Sequence, residues 1–484
     1  MDADVVVVGA GPVGLLVAGE LRLGGADVVV VDRLAAPMTE SRASTIHART
    51  MEILDQRGLL DRLGAPPGIP VGHFGGIPLD LSGQPSRFAG QWKVPQADLE
   101  RVLTQWVHEL GVRIRRGHDV RVLVPGADEV EVGAHTSRGP VRLRAAYVVG
   151  CDGDDSAVRR LAPFEFPGAP ATRELFRCDV TGVDVPDHRF ERFPDGLAIS
   201  ATRNGVTRVM VHEFGHWPAH RASPPEFTEV AAAWKRVTGE DISGGTAIWV
   251  NAFDNSRRQV ARYRQGRVLL AGDAAHRQMP VGGQALNLGL QDAANLGWKL
   301  AAEVTGWAPA GLLDSYHGER HPAGQAVLDA VEAQAHLLLG GPEVEAVRAF
   351  VADLLDLPDV HDRLATQVGG LDVRYQAGTH PLDGARVPQV ELATEEGRTT
   401  TTDLLRGGRG VLLDLSGDRA RADHMRRLVT TAAGPISAVC GTAPDPSPLA
   451  GAATVLVRPD GHVAWAGDHD SDPGAALRRW FGGR

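Results

Sequence analysis

Residues 212–216, His-Glu-Phe-Gly-His, carry the H-E-x-x-H spelling in which two histidines one helical turn apart grip a zinc ion and the glutamate acts as general base. That chemistry needs a helix, because only there do positions four apart share a face. The flanking residues argue for a strand. Ile199 to Thr202 and Val206 to Val211 are strand-like runs joined by Asn204-Gly205, a pair that favours a two-residue hairpin turn. His212 then ends a strand, along which four residues span about 13 Å, whereas each zinc ligand sits about 2 Å from its metal. Gly215 and Pro218 also oppose a helix. No metal site is expected.

A second constellation lies in DVVVVGAGPVGLLVAGELRLGGADVVVVDR, residues 4–33. Val5 to Val8 is an apolar run suited to a strand buried on both faces. Gly9-Ala10-Gly11-Pro12-Val13-Gly14 follows as G-x-G-x-x-G, with glycines for a tight turn, for backbone approach to a pyrophosphate, and for close packing of helix on strand. The helix start offers free N–H groups and a positive dipole end to phosphates. A second strand, Val28 to Val31, ends at Asp32, about 20 residues past the glycines, where an acid holds a ribose hydroxyl. This order of elements points to a bound dinucleotide. Only one such fingerprint occurs. The chain therefore holds either a nicotinamide and no flavin, or FAD with a nicotinamide that binds in passing.

Two later segments choose the second case. YVVGCDGDDSAVR (147–159) runs an apolar strand into an Asp-Gly turn, and GRVLLAGDAAHRQMPVGGQALNLGLQDAANLGWKLA (266–301) delivers Gly272-Asp273, a proline-glycine loop and a long amphipathic helix. Together with ESRASTIHARTMEILDQRG (40–58), VPQADLE (94–100) and RPDGHVAWAG (458–467), they make a chain that resembles the class A FAD-dependent aromatic hydroxylases of the para-hydroxybenzoate hydroxylase type. More narrowly, it is similar to the polyketide hydroxylases that tailor angucyclines and anthracyclines.

The resemblance implies a role for each matching position. The fingerprint residues, Asp32, Arg33 and Val120 would hold the dinucleotide. Asp273, after Gly272, would hold a ribityl hydroxyl of FAD. Arg42 and Gln96 would contact its pyrophosphate and flavin side. Gly282, Gly283 and the N–H groups of Gln284, Ala285, Leu286 and Asn287 would face the pyrimidine end of the flavin, where a helix start stabilises negative charge. Asp152, Gly153 and Arg159 belong to a segment associated with both FAD and NADPH, although Asp152-Gly153 alone also reads as a turn and helix cap. Ala285 and Asp154-Asp155 depart from the family pattern, and the two extra carboxylates would repel nucleotide phosphates. The implied activity is a monooxygenase consuming NADPH or NADH and O2, hydroxylating a polycyclic aromatic polyketide through a flavin C4a-hydroperoxide, with Pro280, Gly282 and Gly283 as the wall beside the reacting oxygen. No strong general base emerges, and His47, His73 and His212 are the candidates for contact with substrate. Oxygen insertion into a ring ketone, and a flavin dehydrogenase that never activates O2, remain the alternatives.

The elements that must position these groups are those of an α/β protein. The expected architecture is a Rossmann-like FAD-binding domain (1–70, 94–170 and 263–340) with an inserted antiparallel substrate sheet (71–93 and 171–262). A helical linker (341–377) leads to a thioredoxin-like domain (378–484) that has no C-x-x-C pair and so no thiol redox chemistry. A net charge of −10 with no basic run argues against nucleic acid. Cys151, Cys178 and Cys440 offer no disulfide framework, which fits a reducing cytoplasm. The uncharged stretch Val5 to Gly19 follows two aspartates and is broken by glycine and proline, so neither a signal peptide nor a membrane span is expected. The expected assembly is a monomer or homodimer.

Overall fold

The valines of 5–8 and 28–31 lack the polar alternation that a strand with one wet face would show, and a computed structural model buries them on both faces. The model describes residues 1–38, 43–219, 221, 223–375, 378–449 and 451–483. Strand Ala3–Val8 pairs in parallel with Val28–Asp32 on one side and with the end of Gly139–Gly150 on the other. Val268–Leu270 and Arg113–Arg116 extend this sheet in parallel at its two ends. An antiparallel hairpin, Asp119–Pro125 with Val130–Thr136, continues from Gly139–Gly150. The fingerprint turn, Asp32 and Gly272-Asp273 thus all lie at carboxyl ends of parallel strands, the ligand-binding edge of such sheets.

Helix Pro12–Leu23 can lie this close to the sheet only because Gly14 has no side chain. A Cβ there would fall 2.0 Å from the Gly9 carbonyl oxygen and 3.2 Å from Cys151 Cβ. Helix Gln284–Val304 differs from the amphipathic expectation, being buried around most of its circumference. Helices Pro12–Leu23 and Ser315–Leu339 pack against it, and its Trp298 and Ala302 enter the core of the C-terminal domain.

The inserted sheet is five-stranded and antiparallel, in the order Arg189–Phe193, Gly196–Arg203, Val206–Glu213, Glu174–Thr181, Thr246–Asp254. Its hairpin turns at Asn204 (φ 53°) and Gly205 (φ 78°), the left-handed pair that a two-residue turn requires. His212 and Glu213 close a strand and a turn follows at Gly215, so the H-E-x-x-H residues never share a helix face. One face of the sheet (Phe176, Cys178, Val180, Ala198, Val209, Val211) packs on helix Phe227–Thr238 around Trp234. The other (Leu175, Leu197, Ile199, Met210) meets Met279, Val281 and helix Ser315–Leu339.

Residues 71–93 do not extend this sheet. Val71–Phe74 and Ile77–Asp80 pair only with each other, and Gln91–Lys93 pairs with Thr45–His47 and Gly68–Ile69. The hairpin buries Phe74, Ile77 and Leu79 against Leu337, Leu355, Ala365 and Val368. Helices Glu345–Leu355 and Pro358–Val368 are therefore packed against it rather than forming a bare linker, because Ile77–Asp80 alternates buried and exposed side chains and needs a cover on one face.

The C-terminal sheet runs Gly397–Thr400, Glu391–Thr394, Ile436–Thr442, Gly410–Asp414, Thr454–Val457, Val463–Gly467. Gly410–Asp414, helix Arg419–Val429 and the parallel strand Ile436–Thr442 form a right-handed unit, followed by two antiparallel strands and helix Gly474–Phe481. That is the thioredoxin-like topology, here with Cys440 as its lone thiol. Among the described residues, no helix is long and apolar enough to cross a membrane.

Gly14→Ala is expected to lower the unfolding free energy by about 1–3 kcal/mol, read as a reduced urea midpoint, because the contacted atoms are backbone.

Candidate functional site

Helix Pro12–Leu23 starts from Gly11 in extended conformation, and a Cβ on Gly11 would meet nothing within 4 Å. The backbone before the helix is therefore open to a ligand, while Val13 and Gly14 lie in the first turn, whose N–H groups no intrahelical carbonyl can take. Asp32 is locked beside this opening: its carboxylate accepts the Ala10 N–H and the Leu34 N–H, each at 2.7 Å. Arg33 is exposed just past the strand. Val120 is buried in the adjoining hairpin, two residues beyond His118, whose N–H bonds the Asp32 carbonyl.

The Asp152 carboxylate accepts from Ser156 Oγ (2.6 Å), Ala157 N–H (2.7 Å) and Val158 N–H (3.2 Å). It therefore serves as the cap of helix Ala157–Leu161, with Gly153 (φ 81°) making the turn. Arg159 lies over the Phe166 ring at 4.0 Å and donates to the Ala274 carbonyl at 2.9 Å, tying this turn to the one that carries Asp273. Asp273 is exposed in the single turn Gly272–Ala274. The two extra carboxylates are each matched by arginine: Asp154 by Arg277 at 3.3 Å, and Asp155 by Arg160. Gln96 opens helix Gln96–Glu109, its N–H bonded to the Ala43 carbonyl at 2.9 Å. Arg42 lies outside the described residues.

At the far end, Pro280 leads into Gly282 (φ 65°) and Gly283 (φ 69°), two successive left-handed residues that turn the chain into helix Gln284–Val304. Two L-residues would be strained there. Ala285 and Leu286 sit half-buried in the first turn, and Gln284 donates to Val368 O at 3.3 Å. Asn287 fixes the loop by accepting the His47 N–H (2.9 Å) and donating to Gly283 O (2.8 Å) and Thr45 O (3.1 Å).

His47 and His73 are brought to one side of this loop. His47 is 1% exposed, its ring set against the backbone of Gly282 and Gly283. Burial pulls its pKa down to about 4. Burial also brings His73 to about 4; its Nδ1 accepts the Gly76 N–H at 3.3 Å, and its ring lies 5.1 Å from that of Phe190. Both are neutral imidazoles near pH 7. His212 plays a different part: its ring nitrogens lie 2.6 Å from Glu174 O and 3.1 Å from Leu339 O, tying the sheet to the end of helix Ser315–Leu339.

Sequence reasoning missed two groups. Lys93, one of three lysines in the chain, donates to Thr45 Oγ1 at 3.0 Å beside His47, and burial lowers its pKa. Arg177, Met210, Asn251, Trp249 and Phe253 share the sheet face turned toward the loop, with the Arg177 guanidinium 5.4 Å and 5.9 Å from the two aromatic rings. Burial pulls Arg177 down to about 10. Its signal was the alternation in Leu175 to Val180, where Arg177 and Asp179 interrupt an apolar run at every second position.

First-turn N–H groups at two helix starts, carboxylates at two strand ends and a neutral imidazole beside a glycine pair fit a pyrophosphate-linked dinucleotide with a polar ring edge. A family model described as "FAD binding domain" matches residues 2–331, and one described as "Aromatic-ring hydroxylase, C-terminal" matches residues 380–483. The solved structure of CabE, described as an aromatic hydroxylase from angucycline biosynthesis, is 46% identical, with full coverage of both chains and a TM-score of 0.95. A 12-dehydrotetracycline 5-monooxygenase/anhydrotetracycline 6-monooxygenase from Streptomyces rimosus is 40% identical over 100% of this chain and 99% of its own. A dialkyldecalin synthase from Streptomyces rugosporus is 39% identical over 100% and 99%. The chain belongs to the FAD-dependent aromatic hydroxylase family and is a flavoprotein monooxygenase that uses FAD.

Asp32→Ala is expected to raise the FAD dissociation constant about tenfold or more by removing a charged acceptor, read by fluorescence titration. His47 has a folded-state pKa below its unfolded value. Its stabilising contribution is thus present above about pH 6.5 and lost as pH falls toward about 4, worth about 3 kcal/mol in all. His47→Gln should flatten that part of the urea-stability profile against pH.

Proposed function

We propose that this flavoprotein hydroxylates a polycyclic aromatic polyketide, taking electrons from NADPH or NADH and oxygen from O2. The observation that carries the reading is the half-buried face formed by Ile199, Met210, Trp249 and Phe253, set across from the Pro280–Gly283 loop with two neutral histidines at its side. Flat aromatic surfaces suit a fused-ring substrate, since ring pairs gain about 0.5–1.5 kcal/mol beyond area burial. CabE and the tetracycline monooxygenase, by their descriptions, act in pathways to fused-ring products, which supports the same class here.

Bound FAD supplies hydride acceptance from the nicotinamide and activation of dioxygen. The chain's own residues do the rest. The first-turn N–H groups of helix Gln284–Val304 stabilise negative charge brought to the loop. Pro280, Gly282 and Gly283 form a wall without side-chain donors, and the inserted sheet over it excludes water. His47, unprotonated at neutral pH, can accept the proton of a phenolic hydroxyl and so raise the nucleophilicity of the ring carbon, whereas the one lone pair of neutral His73 is taken by the Gly76 N–H. His212 drops out of this role because its ring nitrogens are taken by carbonyl oxygens. A cytoplasmic location suits both the nicotinamide supply and the three thiols.

The test is incubation of the purified yellow protein with NADPH, isotopically labelled dioxygen and a small panel of polycyclic phenols and quinones. One labelled oxygen atom in an intact, hydroxylated ring system is expected. Label in a lactone would point to insertion beside a ring ketone. A product without label would exclude oxygenation in favour of dehydrogenation or, as the name dialkyldecalin synthase illustrates for a relative, ring formation. His47→Ala is expected to lower turnover about 10²–10⁴-fold if that residue takes the phenolic proton, with the pH dependence of kcat/KM as the discriminating readout.

A further inference from the structure

Arg458-Pro459-Asp460-Gly461-His462 forms the tight turn between strands Thr454–Val457 and Val463–Gly467 of the C-terminal sheet. Hairpin turns ordinarily stand in water. This one is buried, with Arg458 1% and Asp460 2% exposed, and it is inserted into the FAD-binding half of the molecule. Arg458 forks onto Glu319 at 2.6 and 2.8 Å and also pairs with Asp460. Glu319 in turn accepts from Lys299 and Asn295, each at 2.7 Å, and Asn295 also reaches Asp460 at 3.3 Å. The backbone of the turn is held as well. Asp460 O accepts from Arg49 and Pro459 O from Arg57, both at 2.8 Å, and Arg57 forks onto Glu20 at 2.6 and 2.8 Å.

Four of these partners, Glu20, Arg49, Asn295 and Lys299, lie on three helices that start at the fingerprint turn, at His47 and at the glycine loop, while Glu319 is on helix Ser315–Leu339 and Arg57 lies two residues past Ala48–Asp55. Glu20 is in the helix whose start is the fingerprint turn, Pro12–Leu23. Arg49 is in the first turn of helix Ala48–Asp55, directly after His47. Asn295 and Lys299 are on the helix that begins at the glycine loop, Gln284–Val304. One turn nearer its start, Asp292 accepts the Gly272 N–H at 3.2 Å beside Asp273, and is held by His276 and Arg320 at 2.7 Å. Arg320 continues to Tyr375, whose ring stacks 4.3 Å from that of His462.

We infer that the Arg458–His462 turn of the C-terminal domain is a positioning element for FAD, with Asp460 as its hub, acting on the cofactor through Arg49, Arg57 and helix Gln284–Val304. Two cations, Arg458 and Lys299, and two carboxylates, Glu319 and Asp460, share one dry volume. Such a network is either fully matched or badly unmatched, so it admits few arrangements of the three helices. Seating of the turn and binding of FAD are then coupled. Coupling between two sites is reciprocal, so FAD must tighten the seat by the same factor by which the seat tightens FAD.

Hydrogen exchange of the full-length protein, with FAD bound and after its removal, tests this. FAD is expected to slow exchange of amides in 458–466 about tenfold, while strand Ile436–Thr442 on the other side of the same sheet changes little. Asp460→Asn, close in volume, is expected to raise the FAD dissociation constant about tenfold with a wild-type circular dichroism spectrum, and to shrink the FAD-dependent protection at 458–466. Should that variant not fold, Arg49→Met removes the bond to Asp460 O, together with the Glu52 pair, and is expected to show the same pair of changes. Equal exchange with and without FAD, a uniform slowing across the whole domain, or a lowered melting temperature with unchanged FAD affinity would each overturn the inference.

Discussion

A helix can lend its first-turn N–H groups to a ligand only if the sequence leaves that end open, and two such helices lie side by side here. Pro12–Leu23 and Gln284–Val304 touch because Gly289 and Gly297 put no side chain between them. A Cβ on Gly289 would fall 2.8 Å from Val13, and one on Gly297 2.2 Å from Glu20 Cβ. That contact fixes the fingerprint turn relative to the glycine loop. Strand ends then deliver Asp32 and Asp273 to the same edge of the sheet. Loss of the close approach would separate the two ends of the cofactor site without altering any residue that faces it.

Buried charge enforces this geometry more than it adds stability. Burial pushes Glu319 up, yet Arg458 and Lys299 overcome it and hold the carboxyl at about 2. Burial pulls Lys299 down to about 8 against the attraction of Glu319. Both stay ionised near neutral pH. Buried pairs of this kind roughly break even against well-packed apolar side chains, whereas removing one partner leaves an unmatched charge. Their contribution is to make one arrangement of helices much better than its neighbours. The thioredoxin-like domain, stripped of dithiol chemistry, adds one turn to this network, besides the packing of Trp298 in its core and the Arg57 bond to Leu405 O.

The face of the inserted sheet turned toward the glycine loop is built on a different principle. It mixes half-buried apolar and aromatic side chains (Ile199, Met210, Trp249, Phe253) with Arg177, Asn251 and the Arg208–Asp179 pair. Arg177 sits on an inner strand beside two rings, His73 lies against Phe190, and His47 lies beside the glycine loop. Desolvation keeps both histidines unprotonated near neutral pH.

The local elements were legible in the chain. Val5 to Val8, the glycine hexapeptide, Asp32 and the Asn204-Gly205 hairpin follow from periodicity and turn chemistry within about thirty residues, and the same reading dismissed zinc at His212 and His216. What the sequence could not state was pairing over long separations. Residues 71–93 packed under helices near 345–368 because an alternating strand needs a cover, and several covers were available. Asp152 accepts first-turn N–H groups of helix Ala157–Leu161, His212 ties sheet to helix, and Arg177 lies on the sheet face turned toward the glycine loop. A side chain's type restricts the chemistry it can do and its neighbours in the chain restrict the element it joins. Which element lies opposite is decided by the packing of the whole core, so only the tertiary structure could join Asp460 to Arg49 and His73 to the glycine loop.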